Sequence, residues 1–210
     1  MKYVYDYEKR GKIEKFDRLI LMSKSPRRRD LLSFLNPCIN SIEINEREIE
    51  RKFMDLYSED PFLIRAAKTC SEIAKAKSNV KISDKSLYIS SDTMVVNEDK
   101  IYGKPANINE ARSMFMSYFG KSHYVISAVC LREKSFLDVF FAIAEVRFCD
   151  YYSELDSAIE NYLKEENVMD KAGSYGIQDL DPRFISYING DYNTIIGLPV
   201  SELSRRIVGV

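Results

Sequence analysis

The arrangement of apolar and polar residues along the chain predicts alternating strands and helices. A short apolar run at Arg18–Met22 predicts a buried strand. Ser25 then offers an N-cap and Pro26 a first helical residue, so a helix is expected from there through Phe34. Apolar residues alternate with polar ones over Ser41–Glu46, which predicts a half-buried strand.

The middle of the chain combines a helical pattern with a broken apolar segment. Asp60 and Pro61 begin a second predicted helix, whose apolar residues recur on one face as far as Ala74. The segment Ser86–Val96 contains two apolar pieces, and the polar residues Ser90–Thr93 separate them. The polar residues therefore interrupt an apolar strand region.

The second half of the chain predicts a hairpin and further helices. The expected elements are a helix over Asn109–Phe119, a hairpin of Tyr124–Leu131 and Phe136–Phe148, a helix from a capping box at Ser153 and Asp156 to Leu163, strands over Phe184–Ile188 and Thr194–Ile196, and a helix over Pro199–Ile207. Strands and helices that mix in this way predict an α/β fold with a mixed sheet.

Length and charge restrict the classes of partner. The 210 residues correspond to one domain, or to one domain with two lobes. The 31 Lys and Arg residues balance 32 Asp and Glu residues, so the net charge is −1. Nucleic-acid and membrane-surface binding need a broad basic field, and neither is expected here. Any affinity for a polyanion must come from a local cluster of cations.

Cysteine and histidine usage excludes several metal sites. The four cysteines lie far apart without a CxxC pair, which argues against a zinc ribbon or a thioredoxin-like motif. Met1–Phe16 contains no apolar signal-peptide core, so a reduced, cytoplasmic protein with buried or incidental thiols is expected. His123 is the one histidine, and its position at a strand start favours a structural hydrogen bond. A divalent metal would need carboxylate and phosphate oxygens, which suits Mg²⁺ or Mn²⁺.

Two segments carry polar residues at positions that suit phosphate chemistry. Ser23–Arg29 lies between a predicted strand and a helix N-terminus, where free N–H groups and arginines can bind phosphate. The alternative is a capped helix with solvated arginines. Asp92 interrupts an apolar region, and a carboxylate there is usually paired, metal-bound or catalytic. Its alternative is a turn residue that caps nearby amides.

Two later segments add a lysine and a glycine cluster. Lys104 lies between Gly103 and Pro105 and could bind a phosphate, or it could be an ordinary exposed loop lysine. In Met169–Gln178, Asp170 and Lys171 precede two glycines, and Gln178 offers an amide that could read the edge of a base. That segment could also be a purely structural connection.

The ordered set of motifs is more specific than any one of them. In chain order it comprises Ser23-x-Ser25-Pro26-Arg27-Arg28, Asp92-Thr93-x-Val95-Val96, Gly103-Lys104-Pro105, Ser122-His123-x-Val125, Asp170-Lys171-Ala172-Gly173-x-Tyr175-Gly176-Ile177-Gln178, Gly190-Asp191-Tyr192-Asn193 and Gly197-Leu198-Pro199. The set spans Arg18 to about Ile207, and it resembles the Maf family of nucleoside triphosphate pyrophosphatases.

The resemblance implies a fold and a reaction. The fold would be α/β, with a mixed twisted sheet, flanking helices and two lobes around a cleft, as in the inosine triphosphatases. Residues 18–210 would form this domain, and residues 1–17 would be an N-terminal extension. The reaction would convert a nucleoside triphosphate to the monophosphate and pyrophosphate with a divalent cation, Mg²⁺ or Mn²⁺. The resemblance also suggests a homodimer.

The resemblance implies roles for single residues. Asp92 matches the proposed general base, and next to a metal it can either deprotonate the water or hold the metal itself. Glu46, which matches one residue of the family's acidic pair, is the other expected metal ligand. The lysine of the following helix is Lys77 or Lys75, and we favour Lys77. The full set of expected substrate-binding residues is Ser23, Ser25, Arg27, Arg28, Lys77, Thr93, Lys104, Lys171 and Gln178.

Substrate choice follows from three positions in the same family. Members with Arg, Thr and Gln at the places of Arg27, Thr93 and Gln178 prefer dTTP and UTP, so these nucleotides are the expected substrates. One alternative is a 7-methyl-GTP or inosine triphosphate pyrophosphatase, against which Arg27 and Gln178 argue. Another is a non-catalytic nucleotide-binding regulator of cell division, which the presence of Asp92, Lys104 and Lys171 disfavours.

The chain departs from the family pattern at a few places. Lys24 replaces a small residue, and Ser90-Ser91 replaces Gly-Ala. Asn45-Glu46 stands where the family has two acidic residues, so one carboxylate is missing and metal binding by Glu46 is put in question. The stretch Arg47–Asp60 resembles an insertion.

Overall fold

The computed structural model describes residues 3–165 and 167–208. Within these ranges eight strands form one sheet. The strands are β1 (Val4–Arg10), β2 (Arg18–Met22), β3 (Cys38–Asn40), β4 (Ser86–Asn97), β5 (Lys100–Tyr102), β6 (Ser122–Arg132), β7 (Leu137–Phe148) and β8 (Ile185–Asn189). The α-helices are α1 (Pro26–Leu31), α2 (Glu46–Leu56), α3 (Phe62–Lys77), α4 (Ile108–Met116), α5 (Asp156–Glu165), α6 (Tyr192–Ile196) and α7 (Val200–Val208).

The sheet is mixed, as the sequence predicted. Its main order is β1-β7-β6-β4-β2-β3, with β5 added to β4 and β8 added to β7. Strand β2 is parallel to both β3 and β4, and the remaining pairs are antiparallel. The α/β class and the mixed twisted sheet are therefore confirmed.

Two lobes arise because β4, β6 and β7 are long enough to belong to both. At one end β2 pairs with the first part of β4, at Ser86–Ile89. At the other end β5 pairs with its last part, at Val95–Asn97. Residues 90–94 of β4 lie between these two pairings. On the edge of β4 that faces away from β6, no described strand pairs with them. A cleft between the two lobes opens at this gap.

The two-residue repeat of the strands distributes the core over both faces of the sheet. Ile126 and Ala128 of β6 face a cluster beneath α3, whereas Val129 and Leu131 face a cluster beside α1 and α7. Val125 faces a third, aromatic cluster with Phe115 and other side chains of α4 and α5. Helices therefore flank the sheet on both faces, as expected.

Several predicted elements are confirmed, including β2, the helical start at Pro26, the β6–β7 hairpin and α7. The strand predicted over Ser41–Glu46 is wrong. Strand β3 comes earlier, and the Asn45 side chain accepts a hydrogen bond from the Glu48 N–H at 3.2 Å, which begins α2 instead.

The strand predicted over Thr194–Ile196 is also wrong. The Asp191 carboxylate accepts from the Thr194 N–H at 2.9 Å and caps α6. The polar residues Ser90–Thr93 do not end β4, so Asp92 is not the turn residue of the alternative interpretation. Ser90 and Ser91 donate to the carbonyls of Ala74 and Gly197 and stay buried in a continuous strand.

The predicted capping box at Ser153 is not formed. The Ser153 hydroxyl donates to Glu154, and the turn Ser153–Leu155 is a short 3₁₀ helix that leads into α5. At the N-terminus, Val4–Arg10 of the predicted extension pairs with β7 along the edge of the sheet. Within the described ranges, no helix has the length and apolar character that a bilayer span requires.

Candidate active site

A cleft of about 970 Å³ lies at the gap along β4. One wall is the segment between β2 and α1, together with the start of α2. The opposite wall is formed by the loop after β5 and the segment after α5. The polar and charged residues that line it include Ser23, Ser25, Arg27, Arg28, Glu46, Glu50, Lys77, Asp92, Thr93, Lys104, Asp170, Lys171 and Gln178.

The turn after β2 brings hydroxyls and backbone N–H groups to the cleft. The buried Ser23 hydroxyl accepts from the Ser25 N–H at 3.2 Å. The Ser25 hydroxyl accepts from the Arg28 N–H at 3.4 Å and caps α1, as predicted. Pro26 is the first helical residue and has no N–H of its own to satisfy. The helix therefore starts with its positive end at the cleft.

Arg28 is fixed to the wall of the cleft. Its Nε donates to the Gly197 carbonyl at 2.9 Å, and its Nη2 donates to the Thr93 hydroxyl at 2.8 Å. Burial lowers the pKa of Arg28, and the nearby Asp92 acts in the opposite direction. Gly197 has a φ of +128°, a conformation that favours glycine. Any side chain at this position would also lie against Thr93 and Arg28.

The Thr93 hydroxyl is engaged by the protein itself. Besides accepting from Arg28, it lies 3.0 Å from the Ser127 hydroxyl. Asp92 and Thr93 are neighbours in β4 and therefore point to opposite faces of the sheet. Both still reach the cleft, because the strand has no neighbour at this gap.

Asp92 forms an ion pair with Lys77. The carboxylate is buried, and its Oδ1 accepts from Lys77 Nζ at 2.7 Å. The same ammonium lies 3.0 Å from Glu46 Oε1. Burial disfavours the charged form of Lys77, but Asp92 and Glu46 outweigh it and raise the pKa of the lysine. Lys75 instead pairs with Glu8 and Glu72, so the preference for Lys77 agrees with the geometry.

The second oxygen of Asp92 contacts a buried thiol. Cys70 Sγ donates to Asp92 Oδ2 at 3.5 Å. Burial raises the pKa of the Cys70 thiol well above its ordinary value, and the negative charge of Asp92 adds to the effect. The cysteine therefore keeps its proton and acts as a donor. Cys70 is a free, buried cysteine, which agrees with the buried thiols expected from the sequence. The sequence did not indicate its contact with Asp92.

The opposite wall holds two lysines in ion pairs. Lys104 pairs with Asp170, and both side chains are more than half exposed. Lys171 is buried and lies 2.9 Å from the Asp179 carboxylate. Gln178 is exposed at the cleft, where its amide is accessible. Both lysines therefore reach the cleft, Lys104 on the surface and Lys171 from a buried position.

His123 has the structural role that its position predicted. It is buried, and its Nε2 lies 2.7 Å from the Tyr175 hydroxyl. Its ring packs on Tyr118, whose hydroxyl donates to the Gly173 carbonyl at 2.9 Å. These contacts fix the glycine-containing segment that carries Lys171 into the cleft. Burial lowers the pKa of His123 to about 3.

The depressed pKa of His123 predicts a loss of stability in acid. In the unfolded chain a histidine has a pKa of about 6.5, so below that pH the unfolded state binds a proton that the folded state refuses. The free energy of unfolding should fall by up to about 1.4 kcal/mol per pH unit from pH 6.5 towards 3 because of this residue. In urea unfolding at pH 7, 6, 5 and 4, the free energy of unfolding should therefore fall more steeply with decreasing pH for the wild type than for His123→Phe. Parallel declines would contradict the prediction.

Comparison with known sequences decides the family. A sequence model of the family described as "Maf-like protein" matches residues 18–209. This chain belongs to the Maf family. The match begins at the first residue of β2, so strand β1 of this Maf protein precedes the matched region.

Relatives with curated names are similar over almost their whole length. A dTTP/UTP pyrophosphatase of Bacillus cytotoxicus is 33% identical over 190 residues, which cover 90% of this chain and 94% of that protein. That of Pseudoalteromonas atlantica is 32% identical over 189 residues, with 90% and 95% covered. That of Halalkalibacterium halodurans is 34% identical over 189 residues, with 90% and 94% covered.

The structure of this Maf protein brings all of the sequence-predicted site residues to one cleft. Their individual roles toward a nucleotide stay predictions. Sequence reasoning missed Cys70 and Gly197 as neighbours of Asp92 and Arg28. It also missed Glu50, which lies one helical turn after Glu46 and lines the cleft. Burial raises the pKa of Glu50, and the charge of Asp92 adds to that effect.

Proposed function

We propose that this Maf protein hydrolyses dTTP and UTP to the nucleoside monophosphate and pyrophosphate in the cleft along β4. The observation that carries the proposal is Asp92, a buried carboxylate at the floor of a cleft whose walls are lined with cations. The similarity to named dTTP/UTP pyrophosphatases over 90% of the chain supports the same reaction.

The cations that line the cleft suit a triphosphate. Cleavage of the bond between the α- and β-phosphates leaves charge on the departing pyrophosphate, and cations that offset this charge lower the barrier. We assign this role to Arg28 and the α1 N-terminus on one wall, and to Lys104 and Lys171 on the other. Arg28 keeps its guanidinium in place through Thr93 and Gly197, so it needs no reorganisation when the nucleotide binds.

Asp92 is assigned as the general base. A base must hold a proton-accepting oxygen next to the attacking water, and the buried carboxylate of Asp92 opens onto the cleft. Lys77 donates to Oδ1 at 2.7 Å and holds this carboxylate against the wall of the cleft. Asp92 would take the proton of the water while the water oxygen attacks the α-phosphorus.

A divalent cation fits the donor set on one condition, namely that the nucleotide supplies further ligands. Among the described residues, no three His, Cys, Asp or Glu side chains form a group that could hold a cation. Glu46 and Asp92 do converge, since both contact the Lys77 ammonium. Mg²⁺ is usually bound by one or two carboxylates together with phosphate oxygens. We propose Glu46 and Asp92 as the protein ligands of Mg²⁺ or Mn²⁺, which would supply positive charge at the phosphates.

Base recognition is assigned to Arg27, Thr93 and Gln178. Arg27 and Gln178 line the cleft, and a pyrimidine presents carbonyl oxygens to which a guanidinium and an amide can donate. Thr93 lines the same cleft. The cytoplasmic location, the homodimer and the absence of nucleic-acid and membrane partners stay predictions from the sequence.

A nucleotide panel tests the proposed function. The purified protein should release pyrophosphate from UTP and dTTP in the presence of Mg²⁺ or Mn²⁺. Rates with CTP, GTP, inosine triphosphate and 7-methyl-GTP should be lower. Absence of pyrophosphate release from every nucleotide would overturn the proposal, and faster release from a purine would reassign the substrate.

Lys104→Ala should slow the reaction with every nucleotide without affecting the fold. We expect kcat/KM to fall about tenfold for UTP and dTTP alike, because a charged hydrogen bond to phosphate is lost. The melting temperature of Lys104→Ala should hardly change, since the ion pair between Lys104 and Asp170 is exposed. Lys121→Ala is a matched control, because Lys121 forms a similarly exposed pair with Glu98 outside the cleft. A loss confined to one base would show that Lys104 reads the base.

Gln178→Glu should change the ranking of the pyrimidines. A carboxylate keeps the acceptors of the amide but loses its donors, so it can no longer donate to a uracil carbonyl and can accept from the amino group of cytosine. The ratio of kcat/KM for UTP to that for CTP should fall by roughly 5- to 150-fold. Asn79→Asp makes the same chemical change outside the cleft and should leave the ratio unchanged. An unchanged ranking in Gln178→Glu would remove Gln178 from base recognition.

A further inference from the structure

A buried thiol behind Asp92 has no part in the proposed mechanism. Cys70 is fully buried in α3, and its Sγ donates to Asp92 Oδ2 at 3.5 Å. Lys77, on the same helix, donates to the other oxygen, Oδ1. Of the described residues, these two side chains are the hydrogen-bond donors to the Asp92 carboxylate.

The spacing of the two donors follows from helix geometry. Cys70 and Lys77 are seven residues apart, which is close to two turns of an α-helix, so both side chains lie on the same face. Alanines at positions 66, 67 and 74 are buried on α3 and allow the helix to lie close to the sheet. As a result, one rigid element contacts both oxygens of a carboxylate on a neighbouring strand.

We propose that Cys70 is a positioning residue for Asp92: its thiol fixes the plane of the carboxylate so that an oxygen faces the attacking water. This inference rests on the proposed function, because it assumes that Asp92 is the base. The torsion that rotates a carboxylate about its last bond is soft, and a single donor on Oδ1 leaves that rotation open. A second donor on Oδ2 restricts it.

A purely structural role for Cys70 makes a different prediction. Cys70 belongs to a buried apolar cluster that also contains Cys130, and any small apolar side chain would fill the space. If packing were its whole role, loss of the thiol would lower stability and leave turnover intact. If the thiol orients Asp92, turnover should fall even when stability is retained.

The test compares Cys70→Ala, Cys70→Ser and Cys130→Ala with the wild type, using UTP and saturating Mg²⁺. Cys70→Ala should lower kcat by about three- to tenfold with little change in KM, because one hydrogen bond to the Asp92 carboxylate is lost while the cations of the cleft remain. Cys70→Ser keeps a donor at this position and should recover kcat to within about twofold of the wild type.

Cys130→Ala is the matched control. Cys130 is equally buried in the same cluster, but its Sγ contacts the Ser78 hydroxyl instead of Asp92. It should show a loss of thermal stability similar to that of Cys70→Ala and a native kcat. Cys70→Val, which fills the site without a donor, provides the comparison if Cys70→Ala does not fold.

Two outcomes would overturn the inference. One is a native kcat in Cys70→Ala or in Cys70→Val. The other is a Cys70→Ser variant as slow as the donor-free variants, which would assign the effect to packing. Failure of the proposed function is a separate result, since the wild type itself would then release no pyrophosphate.

Discussion

Asp92→Asn should reduce kcat by about 10²–10⁴-fold in a chain that stays folded, because the variant lacks the general base. Asparagine has nearly the same shape as aspartate, so the buried position in β4 can accept it. Its amide oxygen still accepts a hydrogen bond from Lys77, but it cannot take a proton from water. Steady-state pyrophosphate release from UTP, together with a melting temperature, measures both parts of the prediction.

Asp138→Asn provides the control for this substitution. Asp138 is a buried aspartate of β7 that pairs with Arg206, away from the residues that line the cleft. Its replacement should lower stability and leave kcat close to that of the wild type. A near-native kcat in Asp92→Asn would make Asp92 structural and would remove the base from the proposed mechanism.

Lys77→Met should lower kcat/KM by about 10- to 150-fold. The lysine bridges Asp92 and Glu46, and the methionine keeps much of the apolar stem while removing the ammonium. Without that ammonium, Asp92 loses the hydrogen bond that holds Oδ1, and nothing offsets the repulsion between the two carboxylates. The loss should appear in kcat as well as in KM, because the base itself is affected.

Lys75→Met is the matched control and also tests the choice between the two lysines. Lys75 lies two residues earlier on α3 and pairs with Glu8 and Glu72 outside the cleft. Its replacement should leave kcat/KM within about twofold of the wild type, because exposed or half-buried pairs contribute little beyond stability. A greater loss in Lys75→Met than in Lys77→Met would reverse the assignment.

The parts of the fold that the sequence predicted correctly are those with strong local signals. Ser25 and Pro26 mark a helix start whatever surrounds them, and the apolar run before them is a strand in the structure. The two strand errors have different causes. Ile42 and Ile44 alternate like a strand, but β3 pairs with β2 only as far as Met22 and Asn40, so the residues after Asn40 have no strand beside them. Thr194–Ile196 are β-branched residues, yet the Asp191 cap begins a helix there.

The residues of the candidate site likewise divide into those with a local sequence signal and those without one. Asp92, Lys104 and Lys171 were predicted because each stands in a short motif of unusual composition, and motifs are local. The contact between Cys70 and Asp92 joins residues 22 positions apart, and that between Arg28 and the Gly197 carbonyl spans 169 positions. Nothing adjacent to either residue marks such a partner, since it depends on how α3 and α6 pack against the sheet.

The position of attack is the most direct test of the proposed reaction. Hydrolysis of UTP in water enriched in ¹⁸O, followed by mass spectrometry of the products, shows which phosphorus accepts the water oxygen. Attack at the α-phosphorus, in front of Asp92, predicts one ¹⁸O atom in the uridine monophosphate and none in the pyrophosphate. Label in pyrophosphate, or release of inorganic phosphate and uridine diphosphate, would contradict the proposed reaction.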